Sequence, residues 1–229
     1  MAKQVGIIKK IYRYPVKGMR GESLQQALVG WNGIEGDRRF AFLHPDRLSG
    51  FPWMTGRLKP SLIRYIPQFE HPANLDKSAV LVQTPSGDLL DIKCSQMLAE
   101  IRGLFGDGVV MLKMSRGCFD TMPISLISTN TLASISEGLD LDLSARRFRP
   151  NLVIEPNSAD YSPEDNWLEH SIQIGEGDAA VKIRGDRQNV RCKMISLDPD
   201  TAVPNPAVLK KVNQTRGGKA GIYATAINV

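Results

Sequence analysis

Short alternating runs of apolar and polar residues dominate this chain, and they predict strands. Val5 to Ile11 and Arg39-Phe40-Ala41-Phe42-Leu43 are β-rich, separated by the loop Tyr14-Pro15-Val16-Lys17-Gly18 and a turn at Gly33 to Asp37. This first third reads as a β meander. Val80 to Gln83 and Leu89 to Ile92 flank Thr84-Pro85-Ser86-Gly87-Asp88, the signature of a hairpin. Ser95 to Phe105 breaks the alternation, because apolar residues at 97, 98, 101, 104 and 105 form one helical stripe. Ser95 is its predicted N-cap and Gly106 its end. Val109 to Met114 returns to strand, and the local pattern then breaks at Ser115 to Pro123. Beyond the break come a strand (Ile124 to Ile127), a short helix (about Asn130 to Glu137), a strand (Asn151 to Glu155) and a Trp167-containing loop. A hairpin (Ile172 to Ile174 with Val181 to Ile183) and a helix (Pro206 to Thr215) complete the pattern. The expectation is an α+β, predominantly β protein of two lobes, 1–115 and 116–229, with no internal repeat.

Composition narrows the function classes. With 229 residues the chain can bury a sizeable core. No stretch approaches the roughly 18 uncharged apolar residues of a membrane span. The first residues carry lysines among the apolar positions and no small-residue cleavage site, so the expected location is cytoplasmic. Three cysteines, at 94, 118 and 192, lack CxxC spacing and make neither a disulfide framework nor a zinc knuckle. The three histidines stand apart, which leaves histidine-based zinc or hydrolytic chemistry without support. A formal net charge of +5 implies an anionic ligand or partner.

Two glycine-rich stretches look like phosphate loops and are not. Gly175-Glu176-Gly177-Asp178 is followed by strand-like alternation instead of a helix, so it reads as a hairpin turn. Arg216-Gly217-Gly218-Lys219 follows a helix and reads as its C-cap. Two other features carry candidate chemistry. Arg146-Arg147-Phe148-Arg149-Pro150-Asn151 sets three guanidinium forks, suited to phosphate oxygens, directly against a predicted strand. Cys192 lies between Arg191 and Lys193, and adjacent cations favour thiolate chemistry, nucleophilic or metal-ligating. Cys94 and Cys118 lack that context and read as structural.

Taken together, these fragments resemble the MOSC-domain proteins that carry an N-terminal β-barrel domain. The resemblance rests on Tyr14-Pro15-Val16-Lys17-Gly18, Gly36-Asp37-Arg38-Arg39, Met54-Thr55 with Pro60 and Leu62, Arg147 to Val153, Glu164-Asp165-Asn166-Trp167, and Arg191-Cys192 followed by Asp198-Pro199-Asp200-Thr201. It implies an N-terminal barrel over 1–115 and a MOSC, pyruvate-kinase-like barrel over 116–229, with the site between them. It further implies, as in the amidoxime-reducing branch of the family, a molybdenum cofactor (molybdopterin) and reduction of N-hydroxylated compounds by oxygen transfer to molybdenum. On that likeness Cys192 is the metal's thiolate ligand, and Lys17, Arg38, Arg149, Asn151 and Arg191 hold the cofactor. Ser128 and Thr129 add small donors to the same anion, and Asp198 lies in the site. Electrons come from a separate ferredoxin, flavodoxin or flavoprotein. Two departures are visible. The family's loop usually ends Asp-Pro-x-Thr-Gly, where this chain has Ala202, losing a glycine that permits positive φ. Relatives also continue past Asn228-Val229 with a glycine-rich turn and a last strand, which leaves this barrel either short of that strand or closed by another segment.

Two readings compete with the reductase. One is a persulfide sulfur carrier, with Cys192 loaded by a pyridoxal-phosphate-dependent desulfurase for metallocofactor maturation. The other is a non-catalytic nucleic-acid-binding β-barrel, against which the sparse aromatics count, since a stacking platform needs several.

Overall fold

The computed structural model describes residues 3–47, 51–160 and 163–228. Among them the chain opens with β1 (Gly6–Arg13), β2 (Glu22–Leu24), β3 (Val29–Gly30), β4 (Gly33–Ile34) and β5 (Phe40–Leu43). Next come β6 (Ile66–Phe69), β7 (Val80–Gln83), β8 (Leu89–Asp91), α1 (Ser95–Phe105) and β9 (Val110–Lys113). The remainder holds β10 (Ile124–Ser128), α2 (Thr129–Ser136), β11 (Leu152–Pro156), β12 (Ser171–Ile174), β13 (Val181–Val190), α3 (Pro206–Arg216) and β14 (Lys219–Asn228). Strand dominates, in keeping with the alternating pattern.

Strands β5 and β9, the three-stranded sheet β6-β7-β8 and helix α1 enclose one core, in which Phe40, Phe42, Leu62, Val80, Met97 and Ile101 are buried. The other core organises around a seven-stranded sheet of order β12-β13-β14-β10-β11-β1-β2, antiparallel except for β10 with β11. Period-two alternation sends its side chains to two different clusters. Leu126, Leu152, Ile154 and Ile222 join one face, while Ile127, Val153 and Ala220 join the other beneath α2 and α3. All five residues of β10 are buried, as a strand covered on both faces requires.

Several local expectations are met by local causes. The hairpin at 84–88 is present, with Gln83 opposite Leu89. Helix α3 opens with an Asn205 side-chain cap and Pro206 in its first turn, and closes at Gly217 with φ +57°. Other details differ. The N-cap of α1 is Cys94, whose sulfur accepts the Met97 N–H at 3.3 Å, and Ser95 is already helical. The first third is not a meander: β1 pairs with β2 on one edge and with β11 on the other, Ile11 facing Leu152, and β5 pairs with β9. Alternation reports that a strand exists and carries no address for its partner. Residues 219–228, to which the pattern assigned no element, form β14 between β13 and β10, so this place in the sheet is filled from within the chain.

Candidate functional site

Four turns and strand ends meet where the first core abuts the large sheet. The first turn follows β1. Gly18 takes φ +85°, and a Cβ there would stand 2.9 Å from Leu62 and 3.1 Å from Thr55, so the turn lies flat on the 54–62 segment. Val16 bridges Phe40, and the Lys17 N–H donates to the Phe40 carbonyl at 2.8 Å. The Lys17 side chain is buried. Its Nζ donates to the Cys118 carbonyl at 2.6 Å and pairs with Asp120, near the rings of Phe51 and Trp53.

The second turn is built on the fully buried carboxylate of Asp37. It accepts the Tyr14 N–H at 2.7 Å, the Asn151 amide at 3.1 Å, and Arg38. The third is the single 3-10 turn Ala145–Phe148, which ends on Arg149 at φ +52°. Arg38 and Arg149 both stack on the Tyr14 ring, at 4.7 and 4.3 Å from its centroid. Arg149 donates to the Met19 carbonyl at 2.7 Å, and Arg38 to the Arg149 carbonyl at 3.2 Å. Fourth, the end of β13 delivers Arg191 and Cys192. Arg191 donates to the carbonyls of Ala220 at 2.7 Å and Phe148 at 2.8 Å. It reaches them because Gly221, at φ +71°, presents no Cβ 2.3 Å from the Leu126 carbonyl and 3.2 Å from the guanidinium. Cys192 follows, half-buried, at the start of the turn Lys193–Ser196.

These parts line an open cleft of about 100 Å3. Lys17, Arg38, Arg57, Arg147, Arg149 and Arg191 face it, against one carboxylate, Asp120. Three of the cations have partners: Lys17 with Asp120, Arg38 with Asp37, Arg147 with Asp198. Arg149 and Arg191 instead donate to backbone carbonyls, and burial pulls each down to about 10. Both remain cationic at neutral pH, which is costly without a counter-charge. Burial is also the largest influence on the Lys17–Asp120 pair. It takes Lys17 below its ordinary 10.5 in spite of Asp120, whereas on Asp120 the surrounding cations outweigh it and the carboxyl lies below 3.8. Thr55 also lines the cleft, and among the described residues its buried Oγ1 has no hydrogen-bond partner. Among the described residues no three His, Cys, Asp or Glu side chains cluster as a metal site.

Of the residues singled out by sequence, Lys17, Arg38, Arg149, Arg191 and Cys192 come together at the cleft. Four others do not line it. Asn151 is buried beneath it, holding Asp37, the Tyr12 carbonyl and the Ser125 N–H. Ser128 is the fully buried N-cap of α2, its hydroxyl accepting the Thr131 N–H at 3.0 Å, and Thr129 opens that helix. Asp198 accepts from the Thr201 N–H and hydroxyl, each at 2.9 Å, and from Arg147 at 3.0 Å, which shapes the loop after the cysteine. Polar side chains on a turn suit a cap or a clamp as readily as a ligand, and here the backbone took them first. Sequence reading missed Thr55, Arg57, Asp120, Ser125, Asn189 and Tyr223, all at the cleft. Ser125 and Tyr223 face each other on β10 and β14. Asn189, with its amide oxygen toward Arg191 at 3.1 Å, turns its nitrogen to the Tyr223 hydroxyl at 3.2 Å. The signal for Asp120 was a lone acid in the punctuated segment between the lobes.

Comparison with known proteins gives two family matches that together cover nearly the whole chain. The MOSC N-terminal beta barrel domain matches residues 5–108, and the MOSC domain matches 107–229. Among curated proteins the chain is 34% identical over 84 residues to mitochondrial amidoxime-reducing component 1 of Homo sapiens, which is 37% of this chain and 23% of that protein. It is 24% identical over 240 positions to mitochondrial amidoxime reducing component 2 of Macaca fascicularis, covering 87% of this chain and 69% of that one. The match to the human and the Danio rerio component 1 proteins thus spans 23% of each relative's length. Among the described residues no helix is long and apolar enough to cross a membrane.

Proposed function

Because the chain belongs to the MOSC-domain family, we propose that it is a molybdenum-cofactor protein that reduces N-hydroxylated compounds of the amidoxime or hydroxylamine type. One observation carries this reading: a thiol at the edge of a cleft with six cations and one carboxylate, two of the cations buried without a carboxylate partner. The donor set fits a phosphorylated ligand, and among the described residues Thr55 Oγ1 is a buried hydroxyl beside the cleft with no hydrogen-bond partner. Arg149 and Arg191 hold the phosphate end, and Arg38, fixed by Asp37, and Lys17 flank it. Cys192 would supply a thiolate, a soft donor for a soft metal centre. When bound, the reduced molybdenum centre would supply two electrons to the substrate and take up its oxygen.

The chain's own residues handle protons and water. Reduction of an N–OH group takes two electrons and two protons and releases water, leaving N–H. Lys17 Nζ, made more acidic by burial and oriented by the Asp120 carboxylate, is the proton donor facing the cleft. Phe51 and Trp53 cover the ammonium and limit its hydration. The electrons come from a separate donor protein.

The test is metal analysis of protein made in a host that synthesises the cofactor. Near-stoichiometric molybdenum is expected in the wild type, with a loss of about tenfold or more in Cys192→Ala while the fold is kept. Metal-free, folded wild-type protein that carries labile sulfur on Cys192 overturns this reading in favour of sulfur carriage.

A further inference from the structure

Beside the cationic cleft lies a larger recess, an open groove of about 540 Å3 bounded by the 56–60 turn, the 193–197 turn and one side of α3. That volume is in the range of small-molecule sites, roughly 300 to 1,000 Å3. Apolar side chains make its floor: Pro60, Leu197, Pro204, Pro206 and Leu209. Arg57, Lys193 and Lys210 stand at its rim, and none of the residues lining it is acidic. The bias extends into the surrounding sequence, since residues 54–64 and all of α3 contain no Asp or Glu. The groove is tied to the first site at two points. Arg57 lines both recesses. Gly56 packs against Met194, a Cβ there lying 3.1 Å from its sulfur, so the groove's near wall is the backbone that carries Cys192.

We propose that this groove is the subsite for the body of the substrate, and that the preferred substrates are N-hydroxylated compounds whose apolar body carries a carboxylate or a comparable anionic group. The inference rests on the reductase reading and names the substrate class for it. Charge complementarity selects the occupant. An apolar floor rewards a hydrocarbon or aromatic body, and a rim with three cations and no acid penalises cationic or neutral polar groups relative to an anion. Arg57, shared by both recesses, holds the far end in the groove while the N–OH group stands in the cleft.

The experiment uses benzamidoxime and 4-carboxybenzamidoxime on the full chain. Binding is followed by calorimetry at low and high salt, and reduction is followed with reduced methyl viologen as electron source. The carboxylated compound is expected to bind about tenfold more tightly at low salt, with the advantage shrinking as the charges are screened. Lys210→Glu, on the exposed face of α3, is expected to remove about fivefold of that advantage, and Lys210→Arg to retain it. Equal binding of the two compounds by the wild type, or an advantage untouched by Lys210→Glu, overturns the groove assignment. Salt-sensitive binding of the carboxylated compound with neither compound reduced overturns the reductase reading and leaves the groove standing. Binding of an acidic protein with no response to the small carboxylate overturns the groove as a small-molecule subsite.

Discussion

At the scale of single residues, Asp37 does more for the site than any group that touches the cleft directly. It is fully buried, and it fixes Tyr14, Arg38 and Asn151 at once. Asp37→Asn keeps the shape but leaves the Arg38 guanidinium buried without its counter-charge. A loss of about 3 to 5 kcal/mol is expected in urea unfolding, with weakened cofactor retention alongside. Sequence made Arg38 visible and hid the reason for it. An acid beside an arginine in a Gly-Asp-Arg turn looks like a surface pair, and only the fold shows that the turn is inside. Cys192 was legible because its cationic neighbours are adjacent in sequence. Asp120, Asn189 and Tyr223 were not, since their partners are far along the chain and meet only through sheet register.

Among the elements, the loop after the cysteine is the informative one. Asp198 gathers the N–H groups of Asp200 and Thr201, and Ala202 completes the turn at φ +65°. The loop therefore keeps the positive φ that its relatives assign to glycine, at the cost of strain in an alanine. A left-handed alanine costs about 1 to 2 kcal/mol, while glycine gives back about 0.4 to 1 through the freedom of the unfolded chain. Ala202→Gly is accordingly expected to stabilise by about 0.5 to 1 kcal/mol, measured as a shift of the denaturation midpoint at unchanged slope. Helix α1 was legible from its apolar stripe and terminating glycine, with its cap placed one residue late, and the end of α3 from the glycine turn that follows it. The 3-10 turns were not, and these short turns set Arg147, Arg149 and Cys192. A turn of four residues is too short for periodicity to register.

Across the whole molecule, two acidic groups join distant parts of the chain. Asp200 pairs with Arg146 and with Arg20, and Asp120 pairs with Lys17. The Arg146 hydrogen bonds hold Asp200 below its ordinary 3.8. On Asp120 burial pushes upward, but the neighbouring cations, Lys17 first, outweigh it and hold it below 3.8 as well. Groups with a lowered folded pKa contribute stability that is fully present above the unfolded value and is lost as pH falls through the folded one. Melting temperature is therefore expected to hold down to about pH 4 and to fall below it, less steeply in Asp200→Asn than in the wild type, with Asp200 half-exposed and its share correspondingly modest. Thermal melts across that range decide it. At this scale the strand-rich class was legible from alternation, and the pairing of β1 with β11 was not.

That pairing also sets a schedule for synthesis. Ile11 faces Leu152, so β1 waits for about 140 residues of translation before its partner exists. At about 5 to 20 residues per second the wait is roughly 7 to 28 seconds. During it the nascent segment Gly-Ile-Ile-Lys-Lys-Ile-Tyr-Arg has only the short β2 to pair with and keeps one edge open. Lys9 and Lys10 interrupt it at the irregularity in its register, and Lys9 later meets Glu155 at 3.1 Å. They act as gatekeepers, two charges that keep neighbouring nascent chains apart until β11 arrives.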